Sequence, residues 1–404
     1  MEEVGDIRRD EYELRFKKAK QLMEQNSIDA ILVSSYAEGY YFTGDEHDAW
    51  DFEITMGVLP RDGEPVLMTQ LLQRWNAERS SWIKDIRVWG TTIPPFESNR
   101  VKFITDNLKD MGLSKGVIGI DLESNRHYPG PNTARLGFPL VDYDKIRGTL
   151  PEARFVDASP VIWPVRMIKC EAEIERYKRA VYLTLKGVRA GFESIRKGMT
   201  EIELNNIMLM EMIRLGADWG SFFSVRSGPD RLTGFDTYAS RFNKIKEGDI
   251  IKFDGGCRYR GYVCDISRMA FVGKPNERQL DMSDTVWKAN EAGQEAMKPG
   301  NTVANVFNSA YGVHQERGYA KNIVGYFGHG IGLQIHEPPY INPGTTTVIR
   351  PGMTFALEPM IYDPPDFKFN ANFTAEDNVV VTDRGCENLS KDLRGLWPDW
   401  LISG

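Results

Sequence analysis

Along the first third of the chain the hydrophobic positions switch repeatedly between two spacings. Residues 8–25 place apolar side chains three and four apart, the interval that gathers them on one face of a helix. DAILVSS (29–35), MGVLP (56–60), PVLMT (65–69) and GVIGID (116–121) are short apolar runs bounded by turn formers, so they predict buried strands. Helical spacing returns near 70–80 and 98–111. Strand and helix taking turns predict an α/β domain built on a layered sheet. DASPVIWPVRMIK (157–169) holds two prolines and no clear period, which predicts a linker dividing domain 1–160 from domain 161–404. A long amphipathic helix beginning at Cys170 then opens the second domain.

The second domain carries a faint internal repeat. AGFESIRKGMT (190–200) overlays AGQEAMKPGNT (292–302), each ending a helix at glycine and starting another behind a threonine suited to an N-cap. EGDIIKFDG (247–255) overlays PGMTFALEP (351–359) at nearly the same offset, which sets Asp254 on Glu358. Duplication with pseudo-twofold symmetry would turn equivalent carboxylates toward a central axis.

The bulk numbers narrow the class. The chain has 404 residues, long enough for two cores, with 41% hydrophobic and 26% charged residues and a net charge of −7. That mild acidity, without a basic run, gives no reason to expect nucleic acid as a partner. The charged N-terminus MEEVGDIRRDEYELRF reads as neither signal peptide nor anchor. No apolar run approaches the ~20 residues of a membrane span. Cys170, Cys257, Cys264 and Cys386 form no zinc pattern, so reduced thiols and a cytoplasmic location are expected, with Cys264 a small core residue.

IIKFDGGCRYRGYVCDIS (250–267) puts Asp254 and Asp265 inside apolar runs. If the flanking segments pair with the two aspartates directly opposed, the turn centres between Tyr259 and Arg260, in a glycine-rich stretch where reversal is cheap. Two bare carboxylates on a buried sheet need a shared proton, a cationic partner or a metal. YFGHGIGLQIHEPPY (326–340) adds His329 and His336, with a Glu-Pro-Pro turn at its close, FALEPM adds Glu358, and FTAEDNVVVT adds Glu376. Four acids with one or two imidazoles suit a pair of divalent ions such as Mn, Co, Zn or Fe. Such a pair can share one water and draw its pKa from ~15.7 toward neutrality.

As a set, these residues resemble the pita-bread metallopeptidases: prolidase, aminopeptidase P, methionine aminopeptidase and the metal-free creatinase. The resemblance covers roughly 165–390, and DAILVSSYAEGYYFTG is similar to the creatinase/prolidase N-terminal domain. It implies an α/β N-terminal domain followed by an α+β pita-bread catalytic domain with an internal pseudo-twofold repeat. It also implies two divalent ions, manganese foremost, bridged by Asp265 and Glu376, with Asp254 chelating one and His329 with Glu358 holding the other. Glu376 would be the general base and His336 would hydrogen-bond the substrate carbonyl. A homodimer is implied as well.

Two positions depart from the family's pattern. Thr237 stands where its peptidases carry a histidine, and Thr374 where the proline-specific members carry an arginine. Arg226, Arg231 and Arg241 are candidates to replace the lost cation. The acid-rich loop DEHDAWDFE (45–53), with Trp50, suits a cationic substrate group. Thr237, Thr374, Trp50 and Tyr340 are therefore the candidate substrate contacts. The expected activity is hydrolysis of an amide in a short peptide of the Xaa-Pro dipeptidase or aminopeptidase type. The alternatives are an ectoine-hydrolase-like amidohydrolase or a lyase acting on a small molecule, and a non-catalytic pita-bread binding protein.

Overall fold

The computed structural model describes residues 7–34, 36–45, 55–90, 100–120, 140–228, 239–323, 325–363, 371–396 and 401–402. Its chain divides into two compact units, Asp6–Arg166 and Met167–Gly404.

In the first unit, α1 (Arg9–Gln25), β1 (Ala30–Val33) and α2 (Tyr36–Thr43) lead to β2 (Met56–Pro60), β3 (Val66–Gln70), α3 (Arg74–Ser80) and β4 (Asp85–Trp89). Then come α4 (Arg100–Asp110), β5 (Val117–Ile120), α5 (Leu140–Thr149), β6 (Arg154–Asp157) and α6 (Ser159–Met167). The strands form one mixed sheet in the order β4-β3-β2-β1-β5-β6. Ala30, Leu32, Val58, Met68, Ile118 and Ile120 of that sheet meet Ile104 and Leu108 of α4 in the core.

The segment 157–169, expected as a linker, is largely the helix α6. Val161, Ile162 and Val165 are buried at helical spacing, and that burial outweighs the cost of Pro164 inside the helix.

The second unit runs α7 (Glu171–Glu193), α8 (Glu201–Arg214), β7 (Trp219–Ser227), β8 (Ile250–Tyr259), β9 (Tyr262–Val263) and β10 (Ile266–Val272). Its second half repeats the plan with α9 (Glu277–Ala296), α10 (Val303–Glu316), β11 (Gly328–Gly330), β12 (Glu337–Tyr340), β13 (Thr354–Leu357), β14 (Met360–Asp363), β15 (Ala371–Thr374) and β16 (Asp377–Val381). Two short strands follow, β17 (Cys386–Asn388) and β18 (Leu401–Ile402). The sheets are β18-β10-β8-β7 with β9 on β8, β12-β11-β13-β16-β17, and the ribbon β14-β15.

The repeat read from the sequence is visible at its helix starts. Thr200 caps α8 and bridges to Lys244, while Thr302 caps α10 and bridges to Val348. The antiparallel pairs β8–β10 and β13–β16 hold matching places in their sheets, with Asp254 inside β8 and Glu358 just past the end of β13.

Candidate metal centre

Strand alternation explains how the first hairpin presents its acids. Asp254 lies opposite Ser267 in the β8–β10 ladder, not opposite Asp265. The turn is centred on Arg260 and Gly261, whose φ values of 48° and 84° match a two-residue hairpin with both residues left-handed. This corrects the expected register. The shift is two residues, which preserves the face, so Asp265 is the diagonal neighbour of Asp254 on the same side. On the other flank of β8 the register with β7 slips by a bulge between Gly220 and Phe223. Gly255 lies in that crowded stretch at φ 134°, where an added Cβ would sit 2.0 Å from the Phe222 carbonyl oxygen.

The second hairpin supplies the matching pair. Leu357 pairs with Asp377 and Met360 with Thr374, so the common register sets Glu358 across from Glu376. Asn378 tethers the two hairpins: its carboxamide oxygen accepts from the Asp265 amide at 3.1 Å, and its Nδ2 donates to the Asp265 carbonyl. Arg268 of β10 answers from the other side, donating to the Glu376 carbonyl and, at 2.8 Å, to Asp377 Oδ1. Sequence reasoning missed this brace. Its signal was polar residues at inward positions of the strands that carry the ligand acids.

The histidines come from the β11–β12 region. EPPY, expected as a turn, forms strand β12. Its first residue, Glu337, is buried and accepts from the Leu333 and Gln334 amides at 3.0 and 3.2 Å, shaping the segment that ends at His336. Lys169 Nζ, 3.1 Å from Glu337 Oε2, offsets its charge. His329 and His336 stack at 3.9 Å between ring centroids. Tyr340 is buried beside them, its ring 6.5 Å from that of His329 and 6.2 Å from that of His336.

These elements bring five predicted ligands and His336 together. Ligand atoms of Asp254, Asp265 and Glu376 lie within 4.8 Å of one another, as do those of His329, Glu358 and Glu376, and those of Asp265, His329 and His336. His329 Nδ1 is 3.0 Å from the Gly330 carbonyl, while Nε2 is buried without a hydrogen-bond partner, 3.7 Å from Glu358 and 3.9 Å from Asp265. Asp265 Oδ1 is also buried and unpartnered. An imidazole lone pair and a carboxylate oxygen stranded together inside a protein suit a cation well.

The electrostatics agree. Burial, with repulsion from Asp254 and Glu358, pushes Asp265 well above the usual carboxylate range. Glu376 moves the same way through burial and then Asp265, and burial with Asp254 raises Glu358 to about 8. Burial lowers His336 to about 4 against the opposing pull of Asp254, and burial followed by His336 lowers His329 well below its ordinary value. The folded chain resists holding these acids charged on its own, and divalent cations remove that resistance.

Lys252 was not singled out in the sequence, although it lies two residues before Asp254 and therefore on the same strand face. Its ammonium is 3.2 Å from Asp254 Oδ2 and 3.1 Å from Thr374 Oγ1, and Arg226 reaches to 3.6 Å from Asp254. Thr374 is thus on the wall of the centre. Thr237 and Trp50 lie outside the described residues, as do Arg231 and most of the 45–53 loop.

Comparison with known proteins gives two family matches. The metallopeptidase family M24 model covers residues 175–383, and the creatinase/prolidase N-terminal domain covers 15–168. The Xaa-Pro dipeptidase of Pyrococcus furiosus is 28% identical over 95% of this chain and 99% of its own. An uncharacterized peptidase of Staphylococcus saprophyticus is 31% identical over 93% of this chain and 99% of its own. The crystal structure of recombinant prolidase from Thermococcus sibiricus superimposes with a TM-score of 0.83 at 26% identity, covering 96% of this chain and 98% of that one.

Proposed function

The chain belongs to metallopeptidase family M24 and is a metal-dependent peptide hydrolase, and from that premise we propose that it cleaves short peptides of the Xaa-Pro type. The observation that carries the reading is the convergence of Asp254, Asp265, His329, Glu358 and Glu376, with a buried lone pair and a buried carboxylate oxygen left for a cation. Relatives named Xaa-Pro dipeptidase that align over nearly the whole chain support the substrate class.

Asp265 and Glu376 would be held in common by two divalent ions, Asp254 would serve one of them, and His329 with Glu358 would serve the other. Manganese is the first candidate for both. Bound there, the ions would supply Lewis acidity and an acidified water. Glu376 is positioned to take the proton of the attacking water. His336, held neutral by burial, donates an N–H to the oxygen on which charge develops. Tyr340 backs the two imidazoles and fixes their orientation. Thr374, with its neighbours, lines the substrate side, and Thr237 and Trp50 are assigned to the same role. The matched family and the complete ligand set weigh against a lyase or a non-catalytic binder. A homodimer in the cytoplasm completes the reading.

The test is a peptide panel on manganese-loaded protein, with Ala-Pro and Gly-Pro alongside non-prolyl dipeptides and N-acyl amides. Preferential cleavage of the prolyl dipeptides supports the proposal. Turnover of small amides with no cleavage of any prolyl peptide overturns it.

A further inference from the structure

Lys252 has no place in the ligand set, yet its side chain is 4% exposed at the edge of the centre. An ammonium has three donors, and here it donates to Thr374 Oγ1 at 3.1 Å and forms an ion pair with Asp254 Oδ2 at 3.2 Å. Among the described residues no further acceptor meets it. The charge count points the same way. Asp254, Asp265, Glu358 and Glu376 balance two divalent cations, so once the ions draw on Asp254 the buried ammonium is left without a counter-charge, which is costly. The Arg226 guanidinium, from the residue paired with Lys252 across the β7–β8 ladder, adds positive potential on the same face. Asp254 and Glu358, 21% and 14% exposed, mark the side from which a ligand enters.

From this we infer that Lys252, held by Thr374, is the receptor for a carboxylate on the substrate. Thr374 of β15 positions the lysine of β8, and because its own hydroxyl proton goes to Asn372 Oδ1 at 2.8 Å, the ammonium is the group that meets the anion. The inference rests on the peptide reading for its substrate, and it narrows that reading. A dipeptide brings its C-terminal carboxylate to one fixed distance from the scissile bond, whereas each added residue moves it by ~3.8 Å. Dipeptides should therefore be favoured over tripeptides.

Two measurements test the assignment. In the first, manganese-loaded wild type, K252M and K252R are melted with proline, glycine or acetate and with the corresponding amides, and bound manganese is counted in each. Wild type should be stabilised by carboxylates more than by amides, K252M should lose that difference at unchanged metal content, and K252R should recover it. Wild type that makes no such distinction, K252M that keeps it, or K252M that sheds manganese would each overturn the inference. In the second, the kcat/KM preference for Ala-Pro over Ala-Pro amide should fall roughly ten- to a hundredfold in K252M, the value of a charge-assisted hydrogen bond. An unchanged preference overturns it too. Failure to cleave any prolyl peptide would end the peptide reading while leaving the melting comparison decisive for Lys252.

Discussion

The Gly330 carbonyl, 3.0 Å from His329 Nδ1, places the proton on that nitrogen and leaves Nε2 bare toward Asp265 and Glu358. His336 stacks on the same ring, and the proposed mechanism gives it the substrate oxygen instead of a metal. The two roles separate by mutation. H336A should lower kcat by ~10²–10³-fold and retain its metal, whereas H329A should lose metal, both read by elemental analysis beside kinetics. Equal metal loss in the two variants would make His336 a ligand. E376Q should lower turnover at least ~10³-fold; retention of most activity would remove Glu376 from the role of base. The candidate ligands were legible because an acid or a lone imidazole in an apolar or glycine-rich run has few structural uses. Lys252 was less so, since a strand lysine ordinarily snorkels to solvent, and only the fold shows that Thr374 waits at its tip.

The hairpins set what those residues can reach. Alternation along β8 put Asp254 on the correct face from sequence alone, but the register depended on which residues accept left-handed backbone. Arg260 does so at φ 48°, which residue type does not announce. The same limit hid α6, where buried valine and isoleucine outweigh an internal proline. Gly255 admits no side chain, since an added Cβ would meet backbone at 2.0 Å. G255A should therefore melt well below wild type and bind metal poorly, measured by calorimetry and elemental analysis; a variant that melts and loads like wild type would show that the β7–β8 bulge tolerates the clash. T302A, which removes the α10 cap made to the Asn305 amide, should cost only ~1 kcal/mol.

For the whole molecule, the centre is a source of instability that ions remove. Asp265 and Glu376 are raised well above the usual range and Glu358 to about 8, so the metal-free folded chain keeps protons that the unfolded chain releases near pH 4. Below about pH 6.5 the lowered His336 and His329 work the other way, so folding stability of chelated protein should fall most clearly as pH rises from about 6.5 through 8. Metal-loaded protein should escape that fall, and metal affinity should rise with pH, because binding displaces the same protons. Urea midpoints at several pH values, with and without chelator, read this directly; a chelated midpoint that is flat or rising across the interval contradicts it. The two-unit plan and the internal repeat were readable from periodicity and the paired threonine caps. The brace of Asn378 and Arg268 was not, because it joins strands more than a hundred residues apart and leaves no periodic trace.

In the proposed mechanism, five side chains far apart in the sequence close around two ions. A crystal grown with manganese and measured at the manganese edge tests it most directly. Two anomalous peaks, each ~2.0–2.4 Å from its share of oxygens and nitrogen of Asp254, Asp265, His329, Glu358 and Glu376, are the predicted result. A map without such peaks, with the Lys252 ammonium still the partner of Asp254, would rule out a dinuclear centre.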